Sequence, residues 1–254
     1  MKLLKKLYEK SKILFALLWI ILYCTLMSLG DFLSESFGIQ KLLTLPIAIL
    51  LSALLFFFLR SGSLLSRYGI TRPRVGAASM LYYIPLVLML GANLCYGFKL
   101  NYSILETVLY ILTMFCVGFL EELIFRGLLF DAMKADNPKL AAVVSALTFG
   151  IGHIINLLNG SGADLLSNLL QVVYATAAGF AFVLIFMRDG SLISCILAHG
   201  LFNSLSVFIP EENITTGSEI LTAALLTLLL GSYAVYLART LPKNQSADDS
   251  PAKE

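Results

Sequence analysis

The sequence predicts an all-α fold: a polytopic membrane helix bundle of about eight transmembrane helices, with N- and C-termini cytosolic. Three observations predict it. The 254 residues are 58% hydrophobic and only 13% charged, with a mean hydropathy of +0.85, whereas soluble domains carry about 25% charged residues. Eight apolar runs approach the spanning length of about 17–25 residues. Lys and Arg alternate between successive loops in the way that sets membrane orientation.

The runs fall at about 13–30, 42–59, 77–97, 105–130, 139–157, 165–187, 191–209 and 219–238. The first follows a basic start and so resembles a signal peptide, but no small-x-small cleavage site follows it, and it reads as an uncleaved first span. Pro46 and Pro85 lie inside the second and third runs, where kinks are tolerated in membranes. The fourth run carries Glu121 and Glu122 and continues past them toward Met133. Asn137-Pro138 reads as the cap and first residue of the fifth. Arg188, Asp189 and Gly190 read as a tight turn between the sixth and seventh. Residues 1–238 form one membrane domain with its core at about 105–209, and 239–254 form a polar cytosolic tail.

If the N-terminus is cytosolic, 16 of the 18 Lys and Arg fall on the inner side, and only Lys41 and Lys99 lie outside. A wrong span count would scramble this alternation. The four cysteines, Cys24, Cys95, Cys116 and Cys195, all lie in apolar runs without zinc spacing and read as small hydrophobes. No basic block with interleaved aromatics suggests nucleic acid.

Glu121 and Glu122 are adjacent in the middle of an apolar run, with Arg126 one turn later. One acidic side chain at the centre of a spanning helix costs about 2.5–3.5 kcal/mol. An intramembrane ionisable cluster therefore points to a functional site. The only two histidines of the chain, His153 and His199, also lie in apolar runs, and Asn203 follows His199 at i,i+4.

At about 1.5 Å per helical residue, His153 lies about 20 Å from the inner end of its run, His199 about 13 Å from its own, and the glutamates about 17–18 Å from Met133. Three helices can thus present polar groups in one layer, expected in the cytosolic half of the membrane. Glu122 and Arg126 are i,i+4 with the acid first, the better order for an ion pair. Glu121 is turned about 100° away and is free to act as a base. His199 and Asn203 share a face and can offer two hydrogen bonds to a developing oxyanion.

Three patterns carry a family resemblance: Glu121-Glu122-Leu-Ile-Phe-Arg126, Phe149-Gly-Ile-Gly-His153 and His199-Gly-Leu-Phe-Asn203. Each alone is weak; together, in order and all in spans, they resemble the CPBP family of intramembrane proteases, which includes the type II CAAX prenyl endopeptidases and their bacterial Abi-type relatives. The resemblance implies peptide-bond hydrolysis at the membrane. Glu121 would activate water with help from His153, Glu122 and Arg126 would form an orienting pair, and His199 and Asn203 would stabilise the oxyanion. Its implied substrate is a membrane-associated, CAAX-like or leader-bearing peptide. Type II CAAX endopeptidases cut after a prenylated cysteine, and no prenyl-binding groove is legible in this sequence.

Family members are often described as metalloproteases. Glu121, His153 and His199 are one carboxylate and two histidines, a ligand set that zinc accepts, although no His-Glu-x-x-His pattern is present. The expectation is no cofactor or one zinc ion, with the metal-free version favoured.

Taken singly, His153, His199 and Asn203 also fit interhelical hydrogen bonding. Asn93, Thr113, Asn156, Gln171 and Thr176 read as packing groups, and Gly150 and Gly152 as sites of close helix approach. Two rivals follow. One is a non-catalytic membrane immunity or scaffold factor of the same fold. The other is a transporter, disfavoured because no internal repeat is evident. The expected setting is a multi-pass protein of the cell membrane, its partners the lipid bilayer and a peptide substrate, with the cavity opening toward the cytosol.

Overall fold

A computed structural model describes residues 2–74, 82–157 and 164–241. The described residues are helical throughout, with no strand. Part of the third apolar run and most of the polar tail lie outside them.

The chain opens with α1 (Lys2–Lys10), which lies against the start of α2 (Lys12–Ser36). The Ser11 side chain caps α2 by accepting from the Leu14 amide at 3.2 Å, satisfying one of the donors a helix start leaves free. Helix α3 (Thr44–Ser61) follows, then the short α4 (Ile84–Leu94). Helix α5 (Ile104–Glu122) starts at a capping box between Ser103 and Glu106. It continues without a break through a π-helical stretch, Leu123–Phe130, into α6 (Asp131–Lys134).

Helix α7 (Pro138–Gly152) is capped by Asn137, whose side chain accepts from the Leu140 amide at 3.0 Å, with Pro138 in the first turn. A 3₁₀ turn, His153–Leu157, ends it. Helix α8 (Leu165–Asp189) ends at Gly190, whose φ of 70° is left-handed, a conformation glycine adopts without a Cβ penalty. Helix α9 (Ile193–Leu205) and the long α10 (Thr216–Thr240) complete the chain.

All eight apolar runs contain a helix, and among the described residues six helices are long and apolar enough to cross a membrane, against the eight spans expected. Helices α4 and α9 have 11 and 13 residues, or about 16 and 20 Å, against a hydrocarbon core of about 30 Å. The apolar runs looked longer because they include the 3₁₀ turn Ser206–Phe208 and the turn after α4. The bundle exposes large apolar side chains on its flanks, among them Ile21, Leu50, Val87, Leu112 and Leu228. Exposed apolar patches on this scale mark an interacting surface, and a lipid bilayer suits them.

The hairpin order gives the bundle two distinct ends, each fastened by cross-links. At the end that holds both chain ends, the Tyr8 and Tyr68 hydroxyls lie 2.7 Å apart. There also, Arg67 Nε donates to Asp131 at 2.9 Å, Arg188 donates to Thr240 at 2.8 Å, and the Leu192 amide donates to the Gly69 carbonyl at 2.8 Å. At the opposite end, Tyr96 donates to the Ser218 carbonyl at 3.0 Å and Asn101 to the Ile209 carbonyl at 2.7 Å. Ser167 donates to Glu219 at 2.8 Å. Among the described residues, Arg60, Arg67, Lys134, Arg188 and Arg239 thus lie toward one end of the bundle and Lys41 and Lys99 toward the other.

The centre is closed by small residues at helix crossings. A Cβ on Gly118 would lie 2.8 Å from the Gly200 amide nitrogen and 3.0 Å from the Ile196 carbonyl, so α5 and α9 touch backbone to backbone. A Cβ on Gly150 would lie 2.9 Å from the Thr176 Cα, which brings α7 onto α8 as expected. Gly152 has open space around it and serves no close approach, contrary to expectation.

Candidate active site

Close packing of α5 on α9 places the glutamate pair beside His199. Glu122 is fully buried, and its Oε1 accepts from Arg126 Nη1 at 3.1 Å and from His199 Nδ1 at 2.9 Å. The ion pair expected from the i,i+4 spacing is present. Arg126 is itself fully buried. Its guanidinium lies 4.0 Å from the centre of the Phe149 ring and 5.5 Å from that of Phe182, the geometry of a cation–π contact. Phe149, expected to be packing, is the hub of the site: its ring also meets His153 at 5.2 Å and His199 at 5.7 Å, edge to face.

Glu121 points the other way, as the helical turn requires. Its Oε1 accepts from the Tyr23 hydroxyl of α2 at 2.6 Å. Its Oε2 is buried without a hydrogen-bond partner, 3.6 Å from His199 Nε2. The carboxylate lies on the wall of a cavity of about 510 Å³ that His153, Asn203 and Tyr23 also line. A second cavity of about 40 Å³ is lined by His153, His199 and Asn203. His153 and Asn203 border both. Four of the six residues singled out from sequence therefore face these spaces, and Glu122 and Arg126 lie behind them.

The helix geometry supports this convergence. The π-helical stretch begins immediately after Glu122, and all eight of its residues are buried. π-Helical turns are frequent at functional sites. His153 sits where α7 tightens into its 3₁₀ turn, and its carbonyl is fixed by Asn168 Nδ2 at 2.8 Å. Asn93 donates to the Phe202 carbonyl at 2.6 Å, tying α4 to α9 one residue before Asn203. Asn93 and Thr176 thus act as packing groups, as do Asn156 and Gln171, which hydrogen-bond each other at 3.0 Å; Asn93, Asn156 and Gln171 also line the cavity.

The ligand set for a metal does not converge. Among the described residues, no three His, Cys, Asp or Glu side chains are placed to hold a metal ion. His199 Nδ1 is committed to Glu122, and His153 stands edge-on to Phe149. The residues present do not fit a metal in this arrangement, and no step below is routed through one.

The large cavity runs to the end of the bundle opposite the chain ends. Its lining includes Asp31 near the end of α2, Lys41 beyond it, Tyr96 after α4, Ile209 and Ile214 after α9, and Glu219 in the first turn of α10. It includes none of the basic end's Arg60, Arg67, Arg188 or Arg239.

Sequence reasoning missed Tyr23. A tyrosine in an apolar helix carries no signal by itself, since the residue is at home in such surroundings.

A buried carboxylate and two histidines thus lie together beside a cavity, inside a bundle in which six described helices are long and apolar enough to cross a membrane. Residues 103–205 match the model of the family described as Type II CAAX prenyl endopeptidase Rce1-like. That is the family the three motifs resemble, and the matched segment holds all six residues discussed above. No curated protein and no solved structure matches the chain. The family points to protease activity of the CAAX type at a membrane.

Proposed function

We propose that the chain is an intramembrane endopeptidase in which Glu121 activates water against a peptide bond. The observation that carries this reading is Glu121: one of its carboxylate oxygens is buried without a partner, and the residue lines a cavity together with His153 and Asn203. A general base must reach the proton it takes directly or through one water, the role this reading gives to the unpartnered oxygen.

Water held between Glu121 Oε2 and the His153 ring gives up a proton to Glu121 as its oxygen bonds to the carbonyl carbon. The carbonyl electrons move onto oxygen. Asn203 Nδ2 and His199 Nε2 supply hydrogen bonds to that oxyanion. The tetrahedral species then collapses, the C–N bond breaks, and the proton held by Glu121 passes to the leaving nitrogen. Water has been added across the peptide bond, and Glu121 is ionised again.

His199 can serve as an oxyanion donor only in one state. Its Nδ1 hydrogen is given to Glu122, so Nε2 donates only when the ring carries both protons.

The substrate class that fits is a membrane-associated peptide, CAAX-like or leader-bearing, whose scissile segment reaches the end opposite the chain ends. With the basic end cytosolic, that end faces away from the cytosol. The test is Glu121→Gln, which keeps size and burial but removes the base. It abolishes cleavage and leaves the thermal unfolding of the purified protein close to wild type. Cleavage at wild-type rate in that variant rejects the assignment.

A further inference from the structure

Tyr23 lies outside the family-matched segment, on α2, which carries none of the three motifs. Its hydroxyl is nevertheless the one protein hydrogen-bond donor on Glu121 among the described residues, at 2.6 Å. The residue is buried, and it lines the same cavity as the carboxylate. We propose that Tyr23 is a positioning residue of the site: its hydroxyl occupies Glu121 Oε1 and thereby holds Oε2 toward His199.

The argument is one of geometry. A free carboxylate rotates about its last torsion, a broad and roughly two-fold well, and would present its oxygens without distinction. A short hydrogen bond to an ionised acceptor is among the stronger ones, and here it breaks that equivalence. Oε1 is held on the α2 side. Oε2 is left partnerless, with His199 Nε2 the nearest polar group recorded at 3.6 Å. Helix α2 packs directly against the π-helical stretch that follows the glutamates, so the hydroxyl is presented from a fixed wall. The first spanning helix thus completes the site. The catalytic part of this inference rests on the protease reading above; the pairing itself does not.

The experiment uses Tyr23→Phe in the full chain, purified into lipid nanodiscs. Infrared spectra, with the Glu121→Gln spectrum subtracted, isolate the Glu121 carboxylate bands. Loss of the hydroxyl is expected to change the splitting between the antisymmetric and symmetric stretches. Identical bands in wild type and Tyr23→Phe overturn the proposal. On a peptide cleaved by the wild type, kcat falls about 10- to 100-fold, the scale of one hydrogen bond to a charged group, with KM unchanged. 4-Aminophenylalanine at position 23, which keeps a donor, restores part of the loss. An unchanged kcat, or an equal loss with the amino variant, also overturns it. If Glu121→Gln still cleaves, the protease reading fails, and the infrared bands alone decide whether Tyr23 orients Glu121.

Discussion

His199 donates through Nδ1 to Glu122 Oε1 at 2.9 Å, and the same oxygen takes Arg126 Nη1 at 3.1 Å. One carboxylate oxygen therefore couples α9 to α5 and fixes the orientation of the imidazole. Glu122 works behind the cavity, while its neighbour Glu121 faces it. The two adjacent glutamates divide into an anchor and a reactive group because successive helical residues point about 100° apart.

Replacing the anchor exposes its worth. Glu122→Gln leaves Arg126 as an uncompensated charge with no exposure to solvent, and breaking such a pair from one side costs about 3–5 kcal/mol. Glu122→Gln combined with Arg126→Met removes both charges and is expected to recover part of that loss. Chemical denaturation in detergent checks both. Equal stability of Glu122→Gln and wild type would contradict the buried pair.

Gly118 sets the distance between the glutamates and His199. A Cβ there meets backbone atoms of α9 at 2.8 and 3.0 Å, and backbone cannot step aside as a flexible side chain can. Gly118→Ala is therefore expected to destabilise by about 1–3 kcal/mol and to lower activity by moving His199 off Glu122. Gly231→Ala is the control: the added methyl meets open space, and the gain in helix propensity stabilises by about 0.4–1 kcal/mol. Thermal unfolding and turnover of the two variants separate a steric effect at the crossing from a general intolerance of alanine.

The side of access is testable by labelling. In a cysteine-free background, Lys41→Cys places a thiol at the cavity end and Arg60→Cys places one at the basic end. A membrane-impermeant maleimide applied to intact cells is expected to label Lys41→Cys and to spare Arg60→Cys. The opposite pattern would put the cavity on the cytosolic side and the chain ends outside.

The cap of α8 responds to acid. Hydrogen bonds from the Ser167 hydroxyl and amide hold the Asp164 carboxyl below its ordinary value. A lowered folded value means the cap is fully present above the ordinary carboxylate pKa of about 3.9 and is lost as pH falls through the folded one. The Leu166 and Ser167 amide resonances, which report hydrogen bonds of 2.8 and 3.1 Å to Asp164, are expected to titrate together below that pH. A midpoint at or above the ordinary value contradicts the cap.

Much of this site is legible in the sequence because charge in a hydrocarbon setting is costly. Glu121, Glu122, Arg126, His153, His199 and Asn203 stand out by that cost, and the i,i+4 spacing foretells which glutamate takes Arg126. Tyr23 does not stand out, since a hydroxyl on an aromatic ring costs little in the same setting. The Gly118–Gly200 crossing is equally silent, because a close approach depends on the partner helix. The face of access escapes a depth estimate: a group about 20 Å from one end of a helix near 30 Å long lies about 10 Å from the other. The short α9 passes for a span because the apolar 3₁₀ turn Ser206–Phe208 extends its run.

The most direct test of Glu121 as the base compares protein termini in membranes from cells carrying wild type with those from cells carrying Glu121→Gln at equal expression. At least one membrane-associated peptide is expected to show a new terminus in wild type and to persist uncut in the variant. The same set of termini in both strains would contradict the account.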